Sequence, residues 1–405
     1  MHLKLDHTLE IKNNTLQITG SKSETNRLLI LQALYPNIEI NNVSNSDDSS
    51  LMQKALASDD TLVDIHHAGT AMRFLTAFFA VKEGRETVLT GSKRMQERPI
   101  QILVEALGQL GCEINYEKEI GYPPIKIVGK KPIINKVELK ANVSSQYISA
   151  LMLIAPSLPD GLIISLEGKV TSVPYIKMTL SLLKDIGVKG KFENNLITIY
   201  PANDIENNTL IVESDWSSAS YFYSIVAMSA NAEITIGSYK KNSYQGDSAL
   251  AEIYKHFGVE TTFTEHSITL KKVSNIVQLP NGLDLSNSPD IAQTIAVTCF
   301  GLGVGCYLTG LHTLKIKETD RLEALKAEIE KLGGQVEITD DTLKLSPAHT
   351  IKENISIATY NDHRMAMAFA PLALKTSLTI EDAGVVSKSY PDFWEDLKKL
   401  GFKLV

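Results

Sequence analysis

Several cations in this chain stand where helices are expected to begin. Lys22 and Arg27 lie in G-S-K-S-E-T-N-R, Arg73 follows Gly69-Thr70, and Arg98 sits in E-R-P-I. Lys317 and Arg321 bracket K-E-T-D-R, Arg364 follows Asn361-Asp362-His363, and Lys388 stands in S-K-S-Y-P-D. A cation at a helix N-terminus opposes the macrodipole by a few tenths to about 1 kcal/mol. It becomes favourable when an anion shares the site with the free backbone N–H groups. Arginine then offers a planar fork for phosphate or carboxylate, and lysine a mobile point charge. Two carboxylates, Asp290 in S-P-D and Glu318 in K-E-T-D-R, stand among these cations. The pattern points to a cleft for one or two polyanionic small molecules. Each cation taken singly also reads as a solvated surface charge. Asp290, after Pro289 at a helix start, reads unaided as a cap, and Glu318 equally as a capping residue.

The elements that carry these residues repeat. SETNRLLILQAL, GTAMRFLTAFFA, SSQYISALMLIA, SSASYFYSIVAM, SPDIAQTIAV and NDHRMAMAFAPLAL each open on small polar residues and then run almost wholly apolar. A helix apolar on nearly every face belongs in a core. The starts recur at roughly 72–75 residues over most of the chain, the first interval being shorter. Between them come amphipathic helices followed by glycine and alternating strands, as in RLEALKAEIEKLGGQVEITDDTLKLS; the glycine suits a left-handed C-cap and the strands a hairpin. About six βαβαββ-like units follow from this period. The last stops early, at DFWEDLKKLGFKLV, and LEIKNNTLQITG at the N-terminus is able to supply its closing strands. The expected fold is α/β, with two lobes of three units each. Residues 20–213 form one lobe, residues 1–19 and 214–405 the other, and the chain crosses twice between them. A hinge between lobes would allow closure around a ligand.

Composition sets the bounds. The chain has 405 residues and a net charge of −7, which argues against a general nucleic-acid or membrane-surface binder. Cys112, Cys299 and Cys306 show no metal-type spacing and fit a reduced cytoplasmic setting. Neither a signal or transit pattern nor an unbroken apolar span is read. No metal or organic cofactor is expected, and the expected state is a monomer.

At these same segments the chain resembles the EPSP synthases. The strings GSKSETNR, AGTAMR, ERPI, SSQ, SVPY, SPD, KETDR, NDHRMAMAF and K-x-x-PD occur in order from about Gly20 to Lys388. The resemblance implies an enolpyruvyl transferase-like inside-out α/β barrel. It also implies transfer of the enolpyruvyl group of phosphoenolpyruvate to the 5-hydroxyl of shikimate 3-phosphate, with the residue roles carried over by position. Lys22, Gly69, Thr70, Arg73, Arg98, Gln146, Arg321, Arg364 and Lys388 are then expected at phosphoenolpyruvate. Lys22, Ser23, Arg27, Ser144, Ser145, Gln146, Ser172, Tyr175, Asp290, Thr313 and Lys317 are expected at shikimate 3-phosphate. Lys22, Asp290 and Glu318 are the expected catalytic groups. The phosphoenolpyruvate residues of the second lobe and the catalytic carboxylates fall together, and the first lobe mainly binds shikimate 3-phosphate.

Some positions depart from the common family pattern. His67 stands where Asn is usual, Phe74 where Pro is usual, and Thr313 where Asn often contacts substrate. The enolpyruvyl transferases that act on UDP-N-acetylglucosamine share the fold but usually carry a reactive Cys before their R-P; the stretch Thr90–Arg98 has none. A non-catalytic binder of anionic metabolites is the remaining alternative, and the pair Asp290 and Glu318 counts against it.

Overall fold

A computed structural model describes residues 2–140, 144–168, 170 and 173–405. Two kinds of helix are present, separated by their apolar patterning. Trp216–Met228 is buried at every position, and Ala292–Gly301 likewise. Gly69–Val81 buries all but a few of its side chains. Helices that are apolar on most faces have little to offer water and go inside. Gln101–Gln109 instead buries Leu103, Val104, Ala106 and Leu107 on one face and lies against a sheet.

The chain divides into two compact units, Met1–Thr19 with Glu213–Val405, and Gly20–Val212. Each has its own core. The first gathers Trp216, Phe222, Ile295 and Phe369, the second Leu31, Phe79, Leu107 and Ile148. At the boundary only glycine fits position 20, because a Cβ there would lie 1.8 Å from the Asn42 carbonyl oxygen.

One sheet pattern recurs, a parallel pair continued by an antiparallel hairpin. In the Glu213–Val405 unit, Asn14–Leu16 runs parallel to Glu233–Gly237, which pairs antiparallel with Ser267–Lys272, itself antiparallel to Val259–Phe263. Leu283–Asp284, Cys306–Thr309, Leu343–Leu345 and Val336–Ile338 repeat the order. Ile355–Ile357, Leu378–Ile380, Leu3–Asp6 and Lys403–Leu404 do so again. In the Gly20–Val212 unit the pattern appears in the sheets around Glu86–Thr90 and Leu162–Glu167. Gly111, Gly187, Gly258 and Gly333 precede the hairpins with φ of 90°, 86°, 72° and 102°. These are the left-handed caps that their place in the repeat predicts.

The structure refines the repeat in three places. The last copy does have a closing strand, Lys403–Leu404, and its partner is Leu3–Asp6 with Leu5 opposite Leu404. The segment LEIKNNTLQITG gives Asn14–Leu16 to another sheet. The first copy is reduced to the parallel pair Ile38–Asn41 and Asn208–Ile211 among the described residues. Its second helix, Asp47–Ala57, leads almost directly into Leu62–Asp64, the first strand of the next sheet. The segment LAEIYKHFG is not one helix, because Leu250–Ile253 passes into the 3-10 turn Tyr254–Phe257.

Candidate active site

In the Glu213–Val405 unit the site grows from helix starts. Asp362 caps His363–Phe369 by accepting from the Arg364 amide at 2.9 Å. Its other oxygen accepts from Arg321 Nε at 2.6 Å. Arg321 opens the helix Arg321–Lys331, whose cap is Asp320. Its fork then reaches Asp290 Oδ1 through Nη1 at 2.8 Å and Glu318 Oε2 through Nη2 at 2.7 Å. Asp290 collects further cations. Lys317 Nζ lies 3.5 Å from Oδ1, and Arg364 Nη2 3.3 Å from Oδ2. The cap alternative for both acids thus gives way to one charge cluster in which Arg321 holds Asp290 and Glu318 on neighbouring corners.

Burial works against the charge of Arg321, but Asp362, Glu318 and Asp290 outweigh it and raise the guanidinium above its ordinary value. Burial is likewise outweighed at Arg364, chiefly by Asp290, so that it too stays cationic. Thr313 brings a buried hydroxyl with no hydrogen-bond partner in the described structure. Lys388 Nζ donates to the Asn361 carbonyl at 2.6 Å and holds the left-handed turn Tyr360–Asn361 ahead of Asp362.

In the Gly20–Val212 unit the starts of the inner helices come together. Lys22 opens Lys22–Leu34 and stands 3.6 Å from Asp48 Oδ2, at the start of Asp47–Ala57. His67 Nε2 lies 3.7 Å from the other oxygen of Asp48, and its Nδ1 meets His66 Nδ1 at 2.8 Å. Arg27 is enclosed. It donates to the Ser23 carbonyl at 2.7 Å, Thr179 Oγ1 at 2.8 Å and Ser149 Oγ at 2.9 Å, with the rings of Phe74 and Tyr175 at 5.3 and 5.7 Å. Burial lowers its pKa to about 10. Gln146, in the helix capped by Ser144, donates to Thr70 Oγ1 at 3.3 Å, and Ser145 beside it is buried. Ser172 lies outside the described residues.

Arg98 and Arg73 divide their work. Arg98 crosses the start of Gly69–Val81 so closely that a Cβ on Gly69 would lie 2.5 Å from Nη1. Arg73 points inward, donating to the Pro99 carbonyl at 2.9 Å and the Gly69 carbonyl at 3.2 Å. Burial, then the charge of Arg98, lowers it to about 10. It therefore ties the Arg98 loop to the helix start. Among the described residues no group of three or more His, Cys, Asp or Glu side chains is placed to hold a metal ion.

A family model described as EPSP synthase (3-phosphoshikimate 1-carboxyvinyltransferase) matches residues 53–397. A 3-phosphoshikimate 1-carboxyvinyltransferase of Bacteroides fragilis (strain YCH46) is 45% identical over 392 residues, covering 96% of this chain and 95% of the relative. The chain belongs to the EPSP synthase family. A second member, from Histophilus somni (strain 2336), is 35% identical and covers 95% of this chain and 96% of its own. Among solved structures, an EPSP synthase from Acinetobacter baumannii superposes with a TM-score of 0.81 at 19% identity, covering 100% of this chain and 99% of that one. The enolpyruvyl transferase NikO from Streptomyces tendae superposes at 0.73 with 13% identity, covering 100% and 98%. At such identity these two establish the fold, an enolpyruvyl transferase-type α/β architecture.

Three residues of this family member escaped sequence reasoning although they shape the cluster. In sequence Asp362 stands only as part of a helix start, and in the structure it is the strongest partner of Arg321. Ser217 donates to buried Asp247 and accepts from Arg364. The strings W-S-S and Q-G-D were available as signals, since small polar residues at a buried helix start invite a question about their partners.

Proposed function

We propose that the chain transfers the enolpyruvyl group of phosphoenolpyruvate to the 5-hydroxyl of shikimate 3-phosphate, releasing phosphate. The reaction belongs to the shikimate pathway, which leads to chorismate and the aromatic amino acids. The observation that carries this reading is membership of the EPSP synthase family over nearly the whole chain. The geometry supports it, because a cluster that holds two carboxylates on one buried arginine is suited to moving protons between fixed positions.

The 5-hydroxyl oxygen attacks C2 of phosphoenolpyruvate and loses its proton while C3 gains one, which makes a methyl group. In the resulting tetrahedral intermediate the C2–O bond to phosphate breaks and C3 gives up a proton, restoring the double bond. Asp290, with Lys22, is proposed to receive the hydroxyl proton, and Glu318 to exchange the C3 proton. Lys22, Arg98, Arg321, Arg364 and Lys388 are proposed to hold the carboxylate and phosphate of phosphoenolpyruvate, with Gly69, Thr70 and Gln146 beside them. Arg73 positions this group through Pro99 and Gly69. Ser23, Arg27, Ser144, Ser145, Ser172, Tyr175, Thr313 and Lys317 are proposed for shikimate 3-phosphate. The Gly20–Val212 unit accordingly supplies most of that set.

The proposed setting is the cytoplasm and the proposed working form a monomer. Cys112, Cys299 and Cys306 are free thiols, and no helix among the described residues is long and apolar enough to cross a membrane. The test is phosphate release from phosphoenolpyruvate with shikimate 3-phosphate, and with UDP-N-acetylglucosamine in parallel. Release with the first acceptor alone is expected. Release only with the second, or binding without turnover, overturns the reading.

A further inference from the structure

One buried carboxyl beside the charge cluster takes no part in the steps above. Asp247 lies on the turn Gly246–Ala249 and is 8% exposed. Its Oδ2 accepts a hydrogen bond from Ser217 Oγ. The same Oγ accepts from Arg364 Nη2 at 3.2 Å, and that nitrogen stands 3.3 Å from Asp290 Oδ2. Arg364 Nη1 donates to the Asp290 backbone carbonyl at 3.1 Å, whereas its Nε is buried without a hydrogen-bond partner among the described residues. The guanidinium is thus fixed by Asp290 on one flank and by the Ser217–Asp247 pair on the other.

We infer that Asp247 is a positioning residue for Arg364, acting through Ser217, and that it holds the proton which balances the arriving phosphoenolpyruvate anion. The inference rests on the function proposed above. Its physical basis is charge balance. Lys317, Arg321 and Arg364 face Asp290, Glu318 and Asp362. An ionised Asp247 adds a further anion to that set, where Asp215 already bears on Arg364, in a buried place in which an unpaired charge is costly. The groups that bear on Asp247 come from every side. Asp290 lies on the turn Pro289–Ile291, Arg364 on His363–Phe369, and Ser217 and Asp215 at the start of Trp216–Met228. Burial first, then Asp290, push its carboxyl up to about 7, against the opposing pull of Arg364 and the Ser217 hydrogen bond.

A substrate anion on Arg364 takes away part of the cationic field that helps Asp247 ionise. Substrate therefore binds the protonated form better, and by linkage binding draws a proton on. The KM for phosphoenolpyruvate is expected to rise with pH above about 7, by up to about tenfold per pH unit.

The experiment measures kcat and KM for phosphoenolpyruvate from about pH 6 to about pH 9 in the parent, Asp247→Asn and Ser217→Ala. Titration of the substrate itself is common to all three, so differences between them report on the protein. Asp247→Asn is expected to lose the alkaline rise in KM. Ser217→Ala is expected to move the rise to higher pH, because it removes a hydrogen bond that favours the ionised carboxyl. The inference is overturned if Asp247→Asn keeps the parent's KM profile, or if Ser217→Ala leaves the rise in place or moves it down. Should Asp247→Asn fail to fold, the direction of the Ser217→Ala shift decides. A parent that does not turn over phosphoenolpyruvate at all refutes the functional reading instead, and the two failures are distinguishable.

Discussion

Replacing Arg321 by lysine keeps the positive charge and removes the fork, which separates electrostatics from geometry. Arg321 is 2% exposed and makes charge-assisted hydrogen bonds of 2.6 Å to Asp362, 2.8 Å to Asp290 and 2.7 Å to Glu318. A lysine ammonium reaching from the same backbone position can serve one of these carboxylates well, and the other two lose the hydrogen bond from the arginine fork. Hydrogen bonds to charged groups contribute about 1.5–3 kcal/mol each, and breaking a buried ionic network costs about 3–5 kcal/mol. Glu318 retains some access to water, with 27% of its side chain exposed, so the lower end applies and Arg321→Lys is expected to cost about 3 kcal/mol. For a unit of this size that lowers the melting midpoint by roughly 6–12 °C. Because Asp290 and Glu318 lose their fixed separation, kcat is expected to fall by about 10² or more. Differential scanning calorimetry beside steady-state kinetics reads both. A variant within about 0.5 kcal/mol of the parent with normal kcat would refute the view that the fork organises the cluster.

Gly69→Ala places a Cβ 2.5 Å from Arg98 Nη1, so Arg98 must swing away; KM for phosphoenolpyruvate should rise about tenfold, or about 1.4 kcal/mol, and an unchanged KM would contradict the close approach. Glu318→Gln keeps an acceptor for Arg321 and removes the transferable proton, so kcat should fall about 10²- to 10⁴-fold with KM little changed; an effect confined to KM would remove Glu318 from proton transfer. Stability should report on Asp247 as well. Its folded-state value of about 7 stands above the ordinary 3.8, so between those values the folded chain keeps a proton that the unfolded chain has lost. Stability from this group therefore falls as pH rises through that window. Asp247→Asn should then raise the melting midpoint more at about pH 8 than at about pH 4, and equal shifts at both would contradict the assignment.

Much of the fold was legible because burial leaves a mark on composition. A helix such as Trp216–Met228 has no charged residue in sequence and is buried at every position in space. The glycines after the amphipathic helices announced their left-handed caps. What sequence withheld were pairings across long separations. Leu3–Asp6 completes a sheet with Leu378–Ile380, and a four-residue strand with only two buried-side leucines carries no sign of its partner. The split of LAEIYKHFG into short turns escaped for a related reason, since helical periodicity does not distinguish α from 3-10 winding in so short a run. In the cluster, cations and acids were conspicuous by position, but residue types do not state which atom faces which. Arg73 looked like Arg98 in sequence, yet its donors go to the carbonyls of Gly69 and Pro99. Asp247 and Ser217 are ordinary turn and helix-start residues until Arg364 is seen beside them.

Enolpyruvyl transfer by addition and elimination leaves an isotopic mark when the reaction is run in D₂O with phosphoenolpyruvate and shikimate 3-phosphate and the product is examined by NMR. Addition turns C3 into a methyl group that takes a solvent deuteron, and elimination removes one of its three hydrons. The enol ether product is therefore predicted to carry deuterium at the vinylic C3. Absence of that product, or a product whose C3 hydrogens are all those of the starting phosphoenolpyruvate, would contradict the account.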